Sequence, residues 1–299
     1  MNFTVWGLSG TLHTSGGLEV NDAAERLWYW VSEIDSACNR FRPDSEISHI
    51  NATSGPHTLS PTLTRALIAA KRAYDISEGA CDPTILTSLE MWGYDKDFAL
   101  LGEIASSELG DPSPGPSPGF ERIHFDPTTS SVNLEPGVRL DLGSSAKALL
   151  ADLVVADLRD RGGVCVEVGG DVALSGTGPE GPWVIGVSDS LTITGSEPRV
   201  AMSAGALATS STRVRAWTRG ERRVHHIIDP STGYPADGPF VSATVSATDC
   251  VSANALSTAA LIWDETGPFR IAQGGSAARL VRRDGTLVFV GGWPNEEDS

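Results

Sequence analysis

The chain lacks an uninterrupted apolar run of about 18 residues, the length a membrane-crossing helix needs, so no helical membrane insertion is expected. It is also short of basic charge: 22 Lys and Arg stand against 38 Asp and Glu, a formal net charge of −16. Nucleic acids and anionic bilayers both ask for a basic face, so neither is an expected partner. A phosphorylated ligand held by backbone amides and a metal stays compatible with that balance. The four cysteines, Cys38, Cys81, Cys165 and Cys250, form no Cys-x-x-Cys pair. They read as buried reduced thiols, not as zinc ligands or a disulfide framework. Residues 1–20 lack the basic start and apolar centre of a signal peptide and the cysteine of a lipid anchor, so the expected location is cytoplasmic. There is no internal repeat of fixed period.

What is present is material for a core. Hydrophobic residues make up 40% of the 299, enough for one large domain or two modest ones. Residues 3–13 alternate loosely and read as an opening strand. Asn21-Asp22 reads as a helix cap, with Ala24, Leu27, Trp28, Val31 and Ile34 on one face. Ser60-Pro61 reads as N-cap and N1 of a second helix, with Leu63, Leu67, Ala70 and Tyr74 inward and Gly79 as its stop. "DPSPGPSPG", 111–119, cannot build helix or sheet and reads as an exposed loop or linker between lobes of approximately 1–110 and 120–299. Beyond it come the hairpin strands "RIHFD" and "SVNLE", a helix over 144–163, and the strands "VCVEVGGDVALSG" and "VSATVSAT". A helix capped by Ser252 and a hairpin turning at Asp284-Gly285 follow. Strand runs with helices inserted predict an α+β (mixed α/β) protein with largely antiparallel sheet.

Several segments could carry chemistry. "VHHIIDPSTGYPADG", 224–238, reads as a strand running out into a stiff loop punctuated by Pro230 and Gly233. "DLGSSAKALLAD", 141–152, has Asp141 ending a strand and a glycine turn opening a helix, where unpaired N–H groups and Lys147 suit a phosphate. "VEVGGDVAL", 166–174, places Gly169 and Gly170 in a strand pattern, marking a bulge, a close approach or a tight bend. "SANALST", 252–258, puts Asn254 and Thr258 four residues apart on one helix face, two hard oxygens of the kind magnesium accepts. "RFRPDSEISHIN", 40–51, reads as a turn capping a short helix. Each segment also has a plain structural reading as a cap, turn or core face.

Taken in order, these segments resemble the ApbE family, the FAD:protein FMN transferases. "FRPDSEISHIN", "GACDPTILTSLEMWGYD", "DLGSSAKA", "VEVGGDVALSG", "ALATSS", "HHIIDPSTGYP" and "ANALST" are each similar to a family motif, in family order and over nearly the whole chain. The resemblance implies one domain of two closely packed lobes, largely antiparallel sheets flanked by helices, and FAD in the cleft between the lobes. It implies magnesium-dependent cleavage of FAD at the pyrophosphate, release of AMP, and attachment of FMN to a Ser or Thr hydroxyl of an acceptor protein. A binder with weak or lost transfer, and a pyrophosphatase that yields FMN and AMP, are the alternatives. By resemblance His226 is the general base, since a histidine pKa near about 6.5 suits proton uptake near neutrality. By the same route Phe41, Ser45, Glu46, Asp82, Lys147 and Gly169 bind the flavin nucleotide. So do Gly170, Asp171, Ile228, Asp229 and Thr232. The magnesium ligands are Thr258, Asn254 and the carbonyl of Ala146. Asn254 stands where the family has Asp; an amide oxygen can ligate magnesium but brings no negative charge.

Overall fold

The computed structural model describes residues 1–53, 55–101, 112–188 and 195–294. In chain order it begins with β1 (Asn2–Val5), β2 (Leu8–Ser15), α1 (Val20–Cys38), α2 (Glu46–Ala52), β3 (Gly55–Thr58), α3 (Pro61–Ile76) and α4 (Leu86–Met91). Then come β4 (Ile123–Asp126), β5 (Ser131–Leu134), α5 (Gly143–Leu158), β6 (Gly163–Val168), β7 (Asp171–Ser175), β8 (Trp183–Gly186) and β9 (Arg199–Met202). The chain closes with β10 (Ala204–Ser211), β11 (Ala216–Arg219), β12 (Arg222–His225), β13 (Phe240–Ala247), α6 (Cys250–Ile262), α7 (Gly267–Gln273), β14 (Ala277–Arg282) and β15 (Leu287–Val290). Seven α-helices and mostly antiparallel sheets among the described residues make this a mixed α+β fold.

The chain divides into two compact units, each assembled from separated segments. The first comprises Met1–Val31, Lys147–Val214 and Asp237–Ser299; the second comprises Ser32–Ala146 and Arg215–Ala236. These differ from lobes drawn at 1–110 and 120–299, because the first unit recruits both ends of the chain. The described part of the Pro/Gly loop, 112–119, has the second unit on both sides of it. There Ser117 N donates to Pro230 O at 2.8 Å. Asp111 lies outside the described residues.

The first unit is built on an eight-stranded antiparallel sheet, ordered β1-β2-β6-β7-β10-β13-β14-β15. The opening run is two strands, since Trp6 and Gly7 adopt φ of 50° and 70° and turn the chain back on itself. β13 is buried along most of its length, and α6 packs on β10 and β13. A small-residue helix suits that place: Ala253, Ala255, Ala259 and Ala260 are all at most 1% exposed. In the part of α1 that belongs to this unit Leu27 and Trp30 are buried, while Trp28 is 44% exposed. The Trp30 indole N–H donates to Asp157 at 2.8 Å, which anchors the turn in that phase.

The second unit holds the three-stranded sheet β3-β5-β4, the hairpin β11-β12, and helices α2, α3 and α4. Ser60 caps α3 through Leu63 N, with Pro61 in its first turn. Ser45 caps α2 through Ser48 N at 3.3 Å. An apolar and aromatic cluster of Leu89, Trp92, Tyr94, Trp217, Val224 and Ile228 forms its core, with Phe41 packed against it. All four cysteines are buried and reduced. Burial pushes the Cys38 and Cys165 thiols up to about 12, which leaves them inert at neutral pH.

Candidate active site

In the first unit the polar cluster centres on Asp171, 1% exposed at the start of β7. Lys147 Nζ donates to one carboxylate oxygen at 2.8 Å, and Asn254 Nδ2 donates to the other at 2.9 Å. Lys147 lies one turn into α5, so its charge is committed to Asp171 and not held at the helix start. Gly169 and Gly170 have φ of 60° and 92° and form the two-residue turn joining β6 to β7, the tight bend among the sequence readings. Glu167 accepts from Gly170 N at 2.9 Å and steadies that turn. Burial raises the Glu167 pKa, the nearby Asp171 charge adding to the effect.

The cap of α6 is Asp249, which accepts from Ser252 N at 2.9 Å; Ser252 sits inside the first turn and is not the cap expected from sequence. Asp152 accepts from Cys250 N at 2.8 Å and Val251 N at 3.0 Å. Two carboxylates thus occupy the three N–H groups that open α6, and the positive field of that helix end is already answered. Further along α6, Thr258 Oγ1 is 2.9 Å from Ser210 Oγ, which is 2.8 Å from Ser257 Oγ. Ala146 lies inside α5, where its carbonyl belongs to the helical ladder.

This donor set can be weighed against magnesium. No cluster of three or more His, Cys, Asp or Glu able to hold a metal occurs among the described residues. The carboxylate that accepts from Asn254, that of Asp171, has a donor on each oxygen. The residues therefore fit a magnesium ion that brings its own anionic ligands better than a bare one, which sheds its waters reluctantly where no free carboxylate or phosphate is offered.

In the second unit His225 ends β12 and His226 follows it. His226 N and Nδ1 both lie 3.3 Å from Arg215 O. With Nδ1–H donating to that carbonyl, the neutral ring presents its lone pair at Nε2. His225 Nε2 is 3.1 Å from Ala236 O. Asp229 accepts from Ser231 N at 2.9 Å and Ser231 Oγ at 2.7 Å, and its own carbonyl accepts from Gly233 N at 2.7 Å. Thr232 is exposed at the crown of this loop. Gly233 has φ of 75°, and a Cβ there would lie 2.4 Å from Gly115 O, so the loop closes only around glycine. Trp92 Nε1 donates to Gly233 O at 2.9 Å beneath it.

Other sequence-derived candidates are engaged in the frame. Ile228 is 2% exposed inside the aromatic cluster. Glu46 accepts from Ser60 N at 2.8 Å and Ser60 Oγ at 2.5 Å, clasping α2 to α3. Ser45 is fully buried as a cap. Asp82, 5% exposed, accepts from Thr84 N at 2.8 Å and Thr84 Oγ1 at 2.7 Å, and desolvation raises its pKa. Asp141 ends no strand; its N donates to Pro83 O at 2.8 Å in irregular chain. Phe41 is half-buried, its ring 5.6 Å from that of Tyr94. The sequence reading passed over Arg40, whose guanidinium pairs with Asp141; the only signal for it was a cation next to Phe41.

Residues 4–279 match the ApbE family. A Vibrio cholerae FAD:protein FMN transferase is 27% identical over 249 residues, 81% of this chain and 74% of that protein. One from Chlamydia trachomatis is 30% identical over 234 residues, 76% of this chain and 71% of that protein. The crystal structure of an ApbE protein from Thermotoga maritima superposes with a TM-score of 0.81 at 26% identity, covering 97% of this chain and 96% of the other.

Proposed function

The chain belongs to the ApbE family, and from that premise we propose that it transfers FMN from FAD to a Ser or Thr hydroxyl of an acceptor protein, releasing AMP. The observation that carries this reading is the family match over residues 4–279, with curated relatives of that one activity aligned over most of the chain. His226 takes the hydroxyl proton at Nε2, since Nδ1 faces Arg215 O. The acceptor oxygen attacks the FMN phosphorus, the bond to the bridging pyrophosphate oxygen breaks, and AMP departs with that oxygen. Asp229 and Gly233 hold the loop that carries the base, and Thr232 stands exposed on it beside the nucleotide. Phe41 takes the isoalloxazine ring. The phosphate side falls to Lys147, Gly169 and Gly170, with Asp171 orienting the Lys147 ammonium.

The residues that would hold a magnesium ion arriving with the FAD pyrophosphate are Asn254 and Thr258, through neutral side-chain oxygens, and Ala146, through its carbonyl; bound there, the ion would spread the charge that builds on the phosphoryl oxygens. The neutral amide at 254 favours a second reading, a flavin-nucleotide binder with little transfer. The test is magnesium-dependent AMP release from FAD, with and without a peptide carrying a Ser/Thr acceptor site. Release only with the peptide supports transfer. Release without it means pyrophosphatase, and none in either case leaves a binder.

A further inference from the structure

Arg40 holds a buried charge that the chemistry above leaves unused. Its side chain is 7% exposed and that of its partner Asp141 is 11% exposed. Nε donates to Asp141 Oδ2, and Nη2 donates to Tyr94 O at 2.8 Å. The guanidinium carbon lies 4.0 Å from the Phe41 ring centroid and 4.9 Å from that of Tyr94. Tyr94 continues the aromatic group to Trp217, 5.6 Å between centroids. Asp141 is itself fixed, accepting from Gly143 N at 2.7 Å through its other oxygen. One cation therefore ties the Phe41 turn, the Tyr94 segment and the start of α5 to a single pair of rings.

A buried ion pair is a poor way to gain stability, because desolvation consumes most of the attraction; a well-packed apolar group would fill the same space at least as favourably. What a guanidinium adds is direction. Its fork fixes two hydrogen bonds in one plane, and that plane lies over aromatic faces. We propose that Arg40 is a positioning residue that, braced on the buried Tyr94 ring, holds Phe41 as a pre-oriented platform for the isoalloxazine ring. The inference rests on the flavin reading of Phe41. Arg40 does not touch the reacting phosphorus, so its loss is felt in the flavin half of the ligand and not in the adenylate half.

The experiment uses Arg40→Met, together with the double variant Arg40→Met/Asp141→Asn, which leaves no buried carboxylate unpaired should the single change fail to fold. Calorimetric titrations with FMN and with ADP are compared with the parent, alongside the visible absorption spectrum of bound FMN. The expected result is a folded double variant whose ADP affinity matches the parent, whose FMN affinity falls about tenfold, the scale of ordering a freed side chain on binding, and whose bound-flavin spectrum shifts. Arg40→Lys, which keeps the charge without the fork, falls between the two. Unchanged FMN affinity and spectrum in the folded double variant would overturn the proposal and leave the flavin reading standing. Equal losses for FMN and ADP would make Arg40 a general structural residue and equally overturn it. A parent that binds ADP but not FMN removes the flavin reading itself.

Discussion

Replacing Asn254 with aspartate puts a second carboxylate against one that is already buried. Asn254 is 6% exposed and Asp171 1% exposed, with 2.9 Å between the amide nitrogen and the carboxylate oxygen. Two like charges relaxed to about 4 Å repel by about 4 kcal/mol at an effective dielectric of about 20, and Lys147 at about 5 Å returns about 3 kcal/mol. Losing an amide hydrogen bond to a charged acceptor costs a further ~2 kcal/mol. The sum is a destabilisation of about 3 kcal/mol, a fall in Tm of roughly 6–12 °C. The new carboxyl has a folded pKa raised above its unfolded value of about 3.9. Its cost is therefore full above the raised pKa and fades as pH falls toward the unfolded one. Magnesium meets a charged ligand pair only in the variant. Melts in EDTA and in saturating magnesium, at pH 8 and pH 5, are the assay. Asn254→Asp is expected to melt well below the parent in EDTA at pH 8, to close the gap at pH 5, and to gain stability from magnesium where the parent does not. A variant as stable as the parent in EDTA at pH 8, with equal magnesium responses, would refute the reasoning.

Three further outcomes are expected. His226→Ala lowers transfer by a factor of roughly 10² to 10⁴ while sparing FAD affinity, and His225→Ala is milder; single-turnover transfer to an acceptor peptide separates them, and the reverse order would reassign the base. Gly233→Ala costs more than about 2 kcal/mol, since a side chain at φ 75° loses about 1–2 kcal/mol and its Cβ also meets Gly115 O; urea denaturation reads this directly. Asp82→Asn is more stable than the parent above the raised pKa of Asp82 and loses that advantage as pH falls toward the ordinary carboxylate range. A stability difference that grows toward acid pH would contradict the desolvation account.

Features set by neighbours in the chain were legible without coordinates. Ser60-Pro61 reads as a helix start because side chain and ring act within three residues, and α3 begins there. The strand-rich second half likewise reads as antiparallel sheet. Phase and choice among equals were harder. Trp28, Tyr29 and Trp30 are consecutive, so period alone cannot say which indole faces in; the hydrogen bond from Trp30 to Asp157 decides it. Asp249 and Ser252 can each cap a helix, and the pair orders itself only once Asp249 reaches Ser252 N. Long-range partners left almost no trace. Arg40 meets Asp141, Glu46 meets Ser60 and Asn254 meets Asp171 across spans that no local pattern records. The resemblance named Asn254 and Asp171 separately; only the fold shows that the amide of one donates to the carboxylate of the other.

The eight-stranded sheet has a consequence for how the chain comes into being. β1 and β2 pair within the first residues made, but β2 must wait for β6, with Ser15 opposite Gly163, before its second edge is covered. β10 in turn pairs with β13, and α6 packs on both, so the centre of the sheet is covered only once the chain has been made through Ile262. Such distant pairings make assembly slow and leave strand edges open meanwhile. A nascent chain stopped before Phe240 would carry β10 with one edge bare and no α6 across its face. A truncation that removes β13 and α6 is thus expected to forfeit the sheet as a whole, not merely its last strands.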